Sequence, residues 1–264
     1  MDRPLLGVAG FPVAHSRSPA MQAAGLAELG LDWEYVRVPV PPELFAETVR
    51  ALPGSGFRGL NVTVPHKEAA LAVADIRSAT AEAVGAVNTL SFGPDGQIAA
   101  ENTDAPGFLA ALGQDVRGLR ATVLGAGGSA RAVAWALADA GAARVGVVNR
   151  TSARARELAD DLDVEVDAAV GATDLVVNCT SVGLEPVGDA DALGFLGLAG
   201  VAPPPLVVDL VYAAEPTPVA RWATDAADTR FVDGLDVLLH QGALSLELWT
   251  GQAAPIEAMR AALR

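Results

Sequence analysis

Lys67 is the residue whose type and rarity most directly suggest proton chemistry. Of the 18 lysine and arginine residues in this 264-residue chain, it is the only lysine. An arginine keeps its proton near neutral pH, whereas a lysine amine can release one in suitable surroundings. Chance explains the presence of a single lysine equally well, so the other motifs must decide between chance and a role in proton transfer.

Polar segments follow or precede several predicted strands in the first half of the chain. They are HSRSP (15–19), NVTVPHK (61–67), GAVNT (85–89) and ENTD (101–104). Converging hydroxyl, amide and carboxylate side chains are what a small polyhydroxylated molecule requires of its binding site. A lysine could also exchange a proton with such a molecule.

A glycine turn predicts a dinucleotide site in the second half. The pattern G-x-G-x-x-G/A is read in Gly125, Ala126, Gly127, Gly128 and Ser129, and Ala130 completes it. A plain glycine turn is the alternative. The strand predicted before it and the helix predicted after it favour dinucleotide binding, because glycines allow a pyrophosphate to approach the N-terminus of the helix.

The end of the next predicted strand indicates which dinucleotide. NAD sites place an acidic residue there for the ribose 2′-hydroxyl. This chain has Asn149, Arg150 and Thr151, with Arg154 one helical turn later. Arginines can bind a 2′-phosphate that a carboxylate would repel, so we expect NADP.

Hydrophobic spacing predicts an α/β fold in two parts. Strands are expected at 5–10, 32–40, 59–65, 86–92 and 97–104, with helices at 18–30 and 42–52. Ser18 is expected to cap the first helix, and the last two strands to form an antiparallel hairpin at one edge of a mainly parallel sheet.

A second unit is expected from residue 105. Its predicted strands are 121–127, 144–150, 174–180 and 205–212, and its helices are 129–142 and 152–162. This βαβ series is typical of a nucleotide-binding sheet. Residues 183–205 are predicted to be an irregular loop, and residues 235–264 to be helical.

Taken together, these motifs resemble the shikimate dehydrogenase family. The match includes the four polar segments, the glycine turn, N-R-T-x-x-R (149–154), N-C-T-S (178–181), Tyr212, and residues 234–241. The resemblance implies an N-terminal α/β substrate domain (1–104) and a Rossmann domain (105–235). It also implies that C-terminal helices (236–264) pack back on the first domain.

The resemblance also implies an activity, the NADPH-dependent reduction of 3-dehydroshikimate to shikimate on the route to aromatic amino acids. Ser16 and Ser18 would hold the substrate carboxylate, and Lys67 would be the catalytic acid and base beside Asp104. The hydroxyl groups of the substrate would be bound by Thr63, Asn88, Asp104 and Gln241, with Tyr212 nearby. Further cofactor contacts would come from Thr180, Leu210 and Gly234. An ordinary ion pair remains the alternative for Lys67 and Asp104.

Composition argues against several other classes of protein. A formal charge of −14 disfavours nucleic acid and anionic lipid as partners. The single cysteine, Cys179, allows no internal disulfide, and His15, His66 and His240 lack metal-ligand spacing. We therefore expect an enzyme that acts on small molecules and binds no metal. We also expect it to be cytoplasmic and to be a monomer or a homodimer.

Three alternatives stay open. A quinate/shikimate or aminoshikimate dehydrogenase would differ by one ring substituent of its substrate, although Ser18 and Arg150 favour shikimate and NADP. A catalytically silent ligand sensor would keep the pocket, but the presence of both Lys67 and Asp104 weighs against it. Another two-domain NADP enzyme, such as a folate dehydrogenase, leaves the NVTVPHK and ENTD segments unexplained.

Overall fold

The structure, a computed structural model, describes residues 3–185 and 187–264. The chain divides into two compact units. The first contains the residues up to Gly107 together with Leu238–Arg264, and the second contains Phe108–Val237. Both boundaries between the units, at 107–108 and at 237–238, fall within helices.

Unit 1 is built on a six-stranded sheet with the strand order β2-β1-β3-β5-β6-β4. Only β5 runs against its neighbours, so the predicted mainly parallel sheet is confirmed. The strands are β1 (Leu5–Gly10), β2 (Glu34–Pro39), β3 (Phe57–Val62), β4 (Ile76–Arg77), β5 (Thr89–Phe92) and β6 (Ile98–Glu101).

The helices associated with unit 1 come from both ends of the chain. They are α1 (Ser18–Glu28), α2 (Phe45–Ala51), α3 (Lys67–Val73), α4 (Ala79–Val84), α5 (Asp104–Leu112), α10 (Gly234–Thr250) and α11 (Ile256–Ala261). Most of α10 and all of α11 belong to this unit, which confirms that the C-terminal helices pack back on the first domain. Phe45, Leu60 and Leu90 are among the fully buried side chains of its core.

Two local predictions for unit 1 were wrong. The β5–β6 hairpin is not at the edge of the sheet, because the two-residue strand β4 pairs outside β6. Ser18 is not the N-cap but the first residue of α1, and the capping position is held by Arg17. The hydroxyl of Ser16 instead accepts a hydrogen bond from the Ser18 N–H group at 3.3 Å.

Unit 2 has a parallel six-stranded sheet with the order β9-β8-β7-β10-β11-β12. This is the order of a Rossmann fold, which confirms the predicted fold class. The strands are β7 (Arg120–Leu124), β8 (Arg144–Val148), β9 (Glu165–Val166), β10 (Leu175–Asn178), β11 (Leu206–Asp209) and β12 (Arg230–Asp233). Every residue of β10 and β11 is buried, as expected where helices cover both faces of a parallel sheet.

The helices of unit 2 include two that the sequence did not predict, at 189–196 and 218–224. They are α6 (Gly128–Asp139), α7 (Ser152–Leu162), α8 (Asp189–Leu196) and α9 (Pro218–Thr224). Helix α8 lies within the predicted loop 183–205, of which Pro186 falls outside the described residues. The Gly and Asp residues that suggested a loop instead delimit the helix, since Asp189 and Asp191 are in its first turn and Gly197 follows it in a left-handed conformation.

No helix in the described part of the chain is long and apolar enough to cross a membrane.

Candidate active site

Strand direction brings the polar segments of unit 1 to one edge of its sheet. Strands β1 and β3 are parallel, with Ala9 opposite Val62, so the segments that follow them leave the sheet at the same edge. These segments carry Ser16, Ser18, Thr63 and Lys67.

The hairpin completes this edge. Because β5 runs the other way, its first residue, Thr89, lies opposite Asn61 of β3, and Asn88 comes directly before it. Glu101, the last residue of β6, pairs with Thr89 and leads into Asp104. Residues from four separate segments are thus assembled by the sheet topology.

Lys67 and Asp104 form an ion pair at this edge. The lysine Nζ donates to Oδ2 of Asp104 over 2.7 Å, and the two side chains are only 10% and 15% exposed. Each residue is the first of a helix, since Lys67 begins α3 and Asp104 begins α5. A largely desolvated amine beside a carboxylate is a suitable arrangement for holding and transferring a proton.

Asn88 joins this pair to helix α10. Its Nδ2 lies 3.0 Å from Oδ1 of Asp104, 3.0 Å from Oε1 of Gln241 and 2.8 Å from Oγ1 of Thr103. Its Oδ1 accepts the Thr103 N–H at 2.7 Å. Lys67, Asn88, Asp104 and Gln241 therefore form one hydrogen-bonded group.

Helix α10 approaches this group closely because Gly107 has no side chain. A Cβ at Gly107 would lie 2.6 Å from the backbone nitrogen of Gln241 and 2.7 Å from its Cα. The glycine in α5 is therefore required for Gln241 to reach Asn88.

Ser16, Ser18 and Thr63 are positioned by separate contacts. The Ser16 carbonyl accepts a hydrogen bond from Nη2 of Arg37 at 2.7 Å, and Ser16 and Ser18 are both buried at the N-terminus of α1. The Thr63 N–H donates to the Ala9 carbonyl at 2.8 Å. Two hydroxyls at a helix N-terminus suit a carboxylate ligand.

A group of buried polar side chains, called here the buried polar floor, underlies the site and consists of Tyr35, Asn61, Thr89 and Ser245. No sequence pattern indicated a role for this group. Tyr35 donates to Oδ1 of Asn61 at 2.7 Å, and Nδ2 of Asn61 reaches the Asn88 carbonyl, Thr89 and Ser245 at 3.1, 3.2 and 2.9 Å. Asn61 and Thr89 lie within the polar segments, which was the available signal. Ser245 lies in an apolar helical pattern that gave none.

His66 is a packing residue. It is 1% exposed and stacks on Phe45 with ring centroids 4.4 Å apart, while Nε2 lies 2.7 Å from the Val40 carbonyl. Burial lowers the pKa of the His66 imidazole, and the hydrogen bond to Val40 acts in the opposite direction.

In unit 2, the glycine turn leads from β7 into the N-terminus of α6. Gly125 follows β7 with a φ of +110°, a conformation that favours glycine. Gly127 takes the N-cap position of α6, and a Cβ there would have no described atom within 4 Å. The protein itself does not require a glycine at Gly127, and its absent side chain leaves room for a ligand above the helix N-terminus.

The segment after β8 carries two exposed arginines, Arg150 and Arg154. Asn149 donates from Nδ2 to the Thr151 carbonyl at 3.0 Å, which shapes the start of α7. Arg150 and Arg154 are exposed on either side of this helix start, and neither guanidinium pairs with a carboxylate in the described part of the chain. Both are available to an anionic ligand.

The ends of β10 and β11 are held together by Asp209. Its Oδ1 accepts from Nδ2 of Asn178 at 2.8 Å and from the Val211 N–H at 3.1 Å, and its Oδ2 accepts from Thr217 at 2.5 Å. Thr180 donates to Oδ1 of the same Asn178 at 2.7 Å. Burial raises the pKa of the Asp209 carboxyl to about 6 despite these hydrogen bonds. No sequence pattern indicated a role for Asp209, because this residue ends an apolar strand.

The remaining predicted residues also lie at strand ends in unit 2. Leu210 follows β11, and its N–H donates to the Asn178 carbonyl at 3.0 Å. Gly234 follows β12, where a Cβ would lie 2.6 Å from the Leu210 carbonyl oxygen. Tyr212 is half-buried beside a cavity of about 360 Å³. It belongs to unit 2, whereas the other predicted substrate residues belong to unit 1.

Among the described residues there is no group of three His, Cys, Asp or Glu side chains that could hold a metal ion. Cys179 is half-buried directly after β10.

Comparison with known proteins identifies the family. Residues 8–90 match the family model of the shikimate dehydrogenase substrate binding domain. Residues 109–194 match that of shikimate / quinate 5-dehydrogenase, and residues 234–264 that of the shikimate 5'-dehydrogenase C-terminal domain.

Individual relatives extend over nearly the whole chain. Shikimate dehydrogenase (NADP(+)) from Methylobacterium radiotolerans is 45% identical over 92% of this chain and 90% of its own length. Shikimate 5-dehydrogenase from Thermus thermophilus, solved with NADP(H) and shikimate, is 39% identical with a TM-score of 0.83 over 98% of both chains. A 5-ketofructose reductase from a Gluconobacter species is 31% identical with a TM-score of 0.83, covering 100% of this chain and 98% of that one. The chain belongs to the shikimate dehydrogenase family.

Proposed function

We propose that the chain catalyses the reversible, NADP-dependent interconversion of 3-dehydroshikimate and shikimate. The observation that carries this proposal is the largely buried ion pair of Lys67 and Asp104 beside Asn88 and Gln241. Its relatives named shikimate dehydrogenase (NADP(+)) support the same reaction. Residues 1–104 with 236–264 would form the substrate domain, and residues 105–235 the NADP domain.

The substrate would be held by groups of matching chemistry. Its carboxylate would bind Ser16 and Ser18 at the N-terminus of α1, where the helix dipole favours an anion. Its ring hydroxyls would bind Thr63, Asn88, Asp104 and Gln241, whose hydroxyl, amide and carboxylate groups together supply donors and acceptors.

Lys67 would carry out the proton step. The hydride that reduces the ketone is the chemistry that bound NADPH supplies. As the carbonyl carbon gains this hydride, the Lys67 ammonium gives a proton from Nζ to the carbonyl oxygen, which becomes a hydroxyl. In the direction of oxidation the neutral amine takes the same proton back. Asp104 would orient Nζ through the 2.7 Å contact.

NADP would be held by unit 2. The turn at Gly125, Gly127 and Gly128 fits a pyrophosphate at the start of α6. Arg150 and Arg154 would clamp the 2′-phosphate with charge-assisted hydrogen bonds. Thr180, Leu210 and Gly234, at the ends of their strands, would line the nicotinamide half of the site.

The test is to follow nicotinamide absorbance with shikimate or quinate, each paired with NADP or NAD. Fast turnover of shikimate with NADP, and much slower turnover in the other pairings, is the expected result. Comparable rates with quinate would move the assignment to a quinate/shikimate dehydrogenase. Binding of shikimate without turnover in any pairing would contradict the proposal and favour a ligand sensor.

A further inference from the structure

Ser245 occupies the centre of the buried polar floor in unit 1. It lies on α10 one turn after Gln241 and is fully buried. Its Oγ is 2.9 Å from Nδ2 of Asn61, 2.8 Å from Oγ1 of Thr89 and 3.1 Å from Oγ1 of Thr103. It also donates to the Gln241 carbonyl at 3.0 Å.

One direction of donation satisfies the whole group. The Asn88 amide donates to Thr103, whose hydroxyl lies 3.2 Å from that of Thr89. Thr103 can therefore donate to Thr89, Thr89 to Ser245, and Ser245 to the Gln241 carbonyl. Hydroxyl chains of this kind strengthen one another, because each donor is polarised by the bond it accepts.

This chain of bonds begins and ends at residues proposed to bind the substrate. Its first member, Asn88, contacts Asp104 and the side-chain oxygen of Gln241. Its last acceptor is the backbone carbonyl of Gln241 itself. Ser245 therefore holds both the turn of α10 that carries Gln241 and the hydroxyls that orient Asn88.

Loss of the Ser245 hydroxyl would disturb the site through Thr89. With Thr103 donating to Thr89 as above, the acceptor that remains for the Thr89 hydroxyl is Oδ1 of Asn88, at 3.4 Å. That oxygen already accepts the Thr103 N–H at 2.7 Å. A turn of Thr89 toward it would pull the Asn88 amide away from Asp104 and Gln241.

We infer that Ser245 is a positioning residue that holds Gln241 and Asn88 in the geometry needed to bind the ring hydroxyls of the substrate. This inference rests on the proposed function. Ser245 touches no substrate itself and acts through Asn88 and Gln241.

The first test compares Ser245→Ala with Thr250→Ala in the full-length enzyme. Thr250 lies on the same helix, and its hydroxyl donates to the Leu246 carbonyl in the same way, at 2.8 Å, but away from the floor. We expect Ser245→Ala to raise the KM for shikimate about fivefold and leave the KM for NADP unchanged, as loss of about one hydrogen bond predicts. Thr250→Ala should change neither KM.

Double substitution separates positioning from stability. Because part of the effect of Ser245 passes through Gln241, Ser245→Ala should raise the KM for shikimate less in a Gln241→Ala background than in the wild type. A full multiplication of the two effects, or a lower melting temperature with no change in KM for shikimate, would overturn the inference. Ser245→Cys keeps the volume and a weak donor, so it serves if the alanine variant does not fold, and its KM should be intermediate.

Direct titration with shikimate distinguishes this inference from the proposed function. A wild-type protein that neither binds nor oxidises shikimate contradicts both. A wild-type protein that oxidises shikimate with NADP, together with a Ser245→Ala variant of unchanged affinity, contradicts only the role of Ser245.

Discussion

The Nζ of Lys67 lies 2.7 Å from Oδ2 of Asp104, although the two residues are 37 positions apart in the chain. Each is the first residue of a helix that follows a strand of the same sheet, Lys67 after β3 and Asp104 after β6. A helix N-terminus favours the carboxylate of Asp104 and disfavours the cation of Lys67. Asp104 therefore compensates electrostatically for the position of the lysine.

Arg150 should determine the preference for NADP. We expect Arg150→Asp to weaken NADP binding about 10- to 100-fold and to leave NAD binding much less affected, because a charge-assisted hydrogen bond is replaced by repulsion. The measurement is kcat/KM for each cofactor at saturating shikimate.

Arg156 provides the matched control for this change. It is exposed on α7, the helix that begins just after Arg150, and it lies two residues beyond Arg154. Arg156→Asp should leave the NADP/NAD ratio unchanged. An equal loss of NADP preference in both variants would indicate a general effect of charge, and an unchanged ratio in Arg150→Asp would mean that the 2′-phosphate is bound elsewhere.

Gly107 should not tolerate a methyl group. A Cβ there would lie 2.6 Å from the Gln241 backbone nitrogen, so α5 or α10 must shift. We expect Gly107→Ala to lower the free energy of unfolding by about 1–3 kcal/mol and to raise the KM for shikimate, since overpacking displaces Gln241.

Gly194 tests whether this effect is specific to the contact. It lies within α8, and a Cβ there would meet no described atom within 4 Å. Gly194→Ala should be neutral or stabilise the fold by up to about 1 kcal/mol. A Gly107→Ala variant as stable and active as Gly194→Ala would contradict the close approach of the two helices.

Much of this organisation could be predicted from the sequence, because it depends on local patterns. Apolar runs marked the main strands, and the polar segments at their ends marked the residues that the sheet brings together. The pairing of Lys67 with Asp104 was available only through the family resemblance, since no spacing rule joins residues on different helices.

Other features depend on tertiary contacts and left no local signal. Ser245 sits in the helical run ALSLELW, where its spacing is that of any core-facing residue. Asp209 is the last residue of an apolar strand, and the hydrogen bonds that its buried carboxylate accepts from Asn178 and Thr217 are tertiary contacts. The glycines around helix α8 suggested a loop, but Gly188 and Gly197 are its two caps and Gly194 lies within it.

Asp209 should make stability depend on pH in a defined window. The folded-state pKa is raised from 3.8 to about 6, so the folded protein holds this proton more tightly than the unfolded chain does. The stabilising contribution is complete below about pH 4 and is lost as the pH rises through about 6. The variant Asp209→Asn replaces the carboxyl with an amide that does not titrate, which isolates this contribution.

Denaturant unfolding of both proteins at several pH values provides the measurement. The free energy of unfolding of the wild type, minus that of Asp209→Asn, should fall by up to about 3 kcal/mol between about pH 4 and about pH 7. A difference that stays constant over this range would mean that the burial of Asp209 does not raise its pKa.

The proton-transfer role of Lys67 is tested most directly by Lys67→Arg, with binding and turnover measured on the same sample. Arginine keeps the positive charge beside Asp104 but does not release a proton near neutral pH. Titrations should show nearly unchanged affinities for NADP and shikimate, while kcat falls by about 10²- to 10⁴-fold, the usual contribution of a general acid or base. Near-normal turnover by this variant would show that Lys67 binds the substrate by its charge alone, and would contradict the proposed proton transfer.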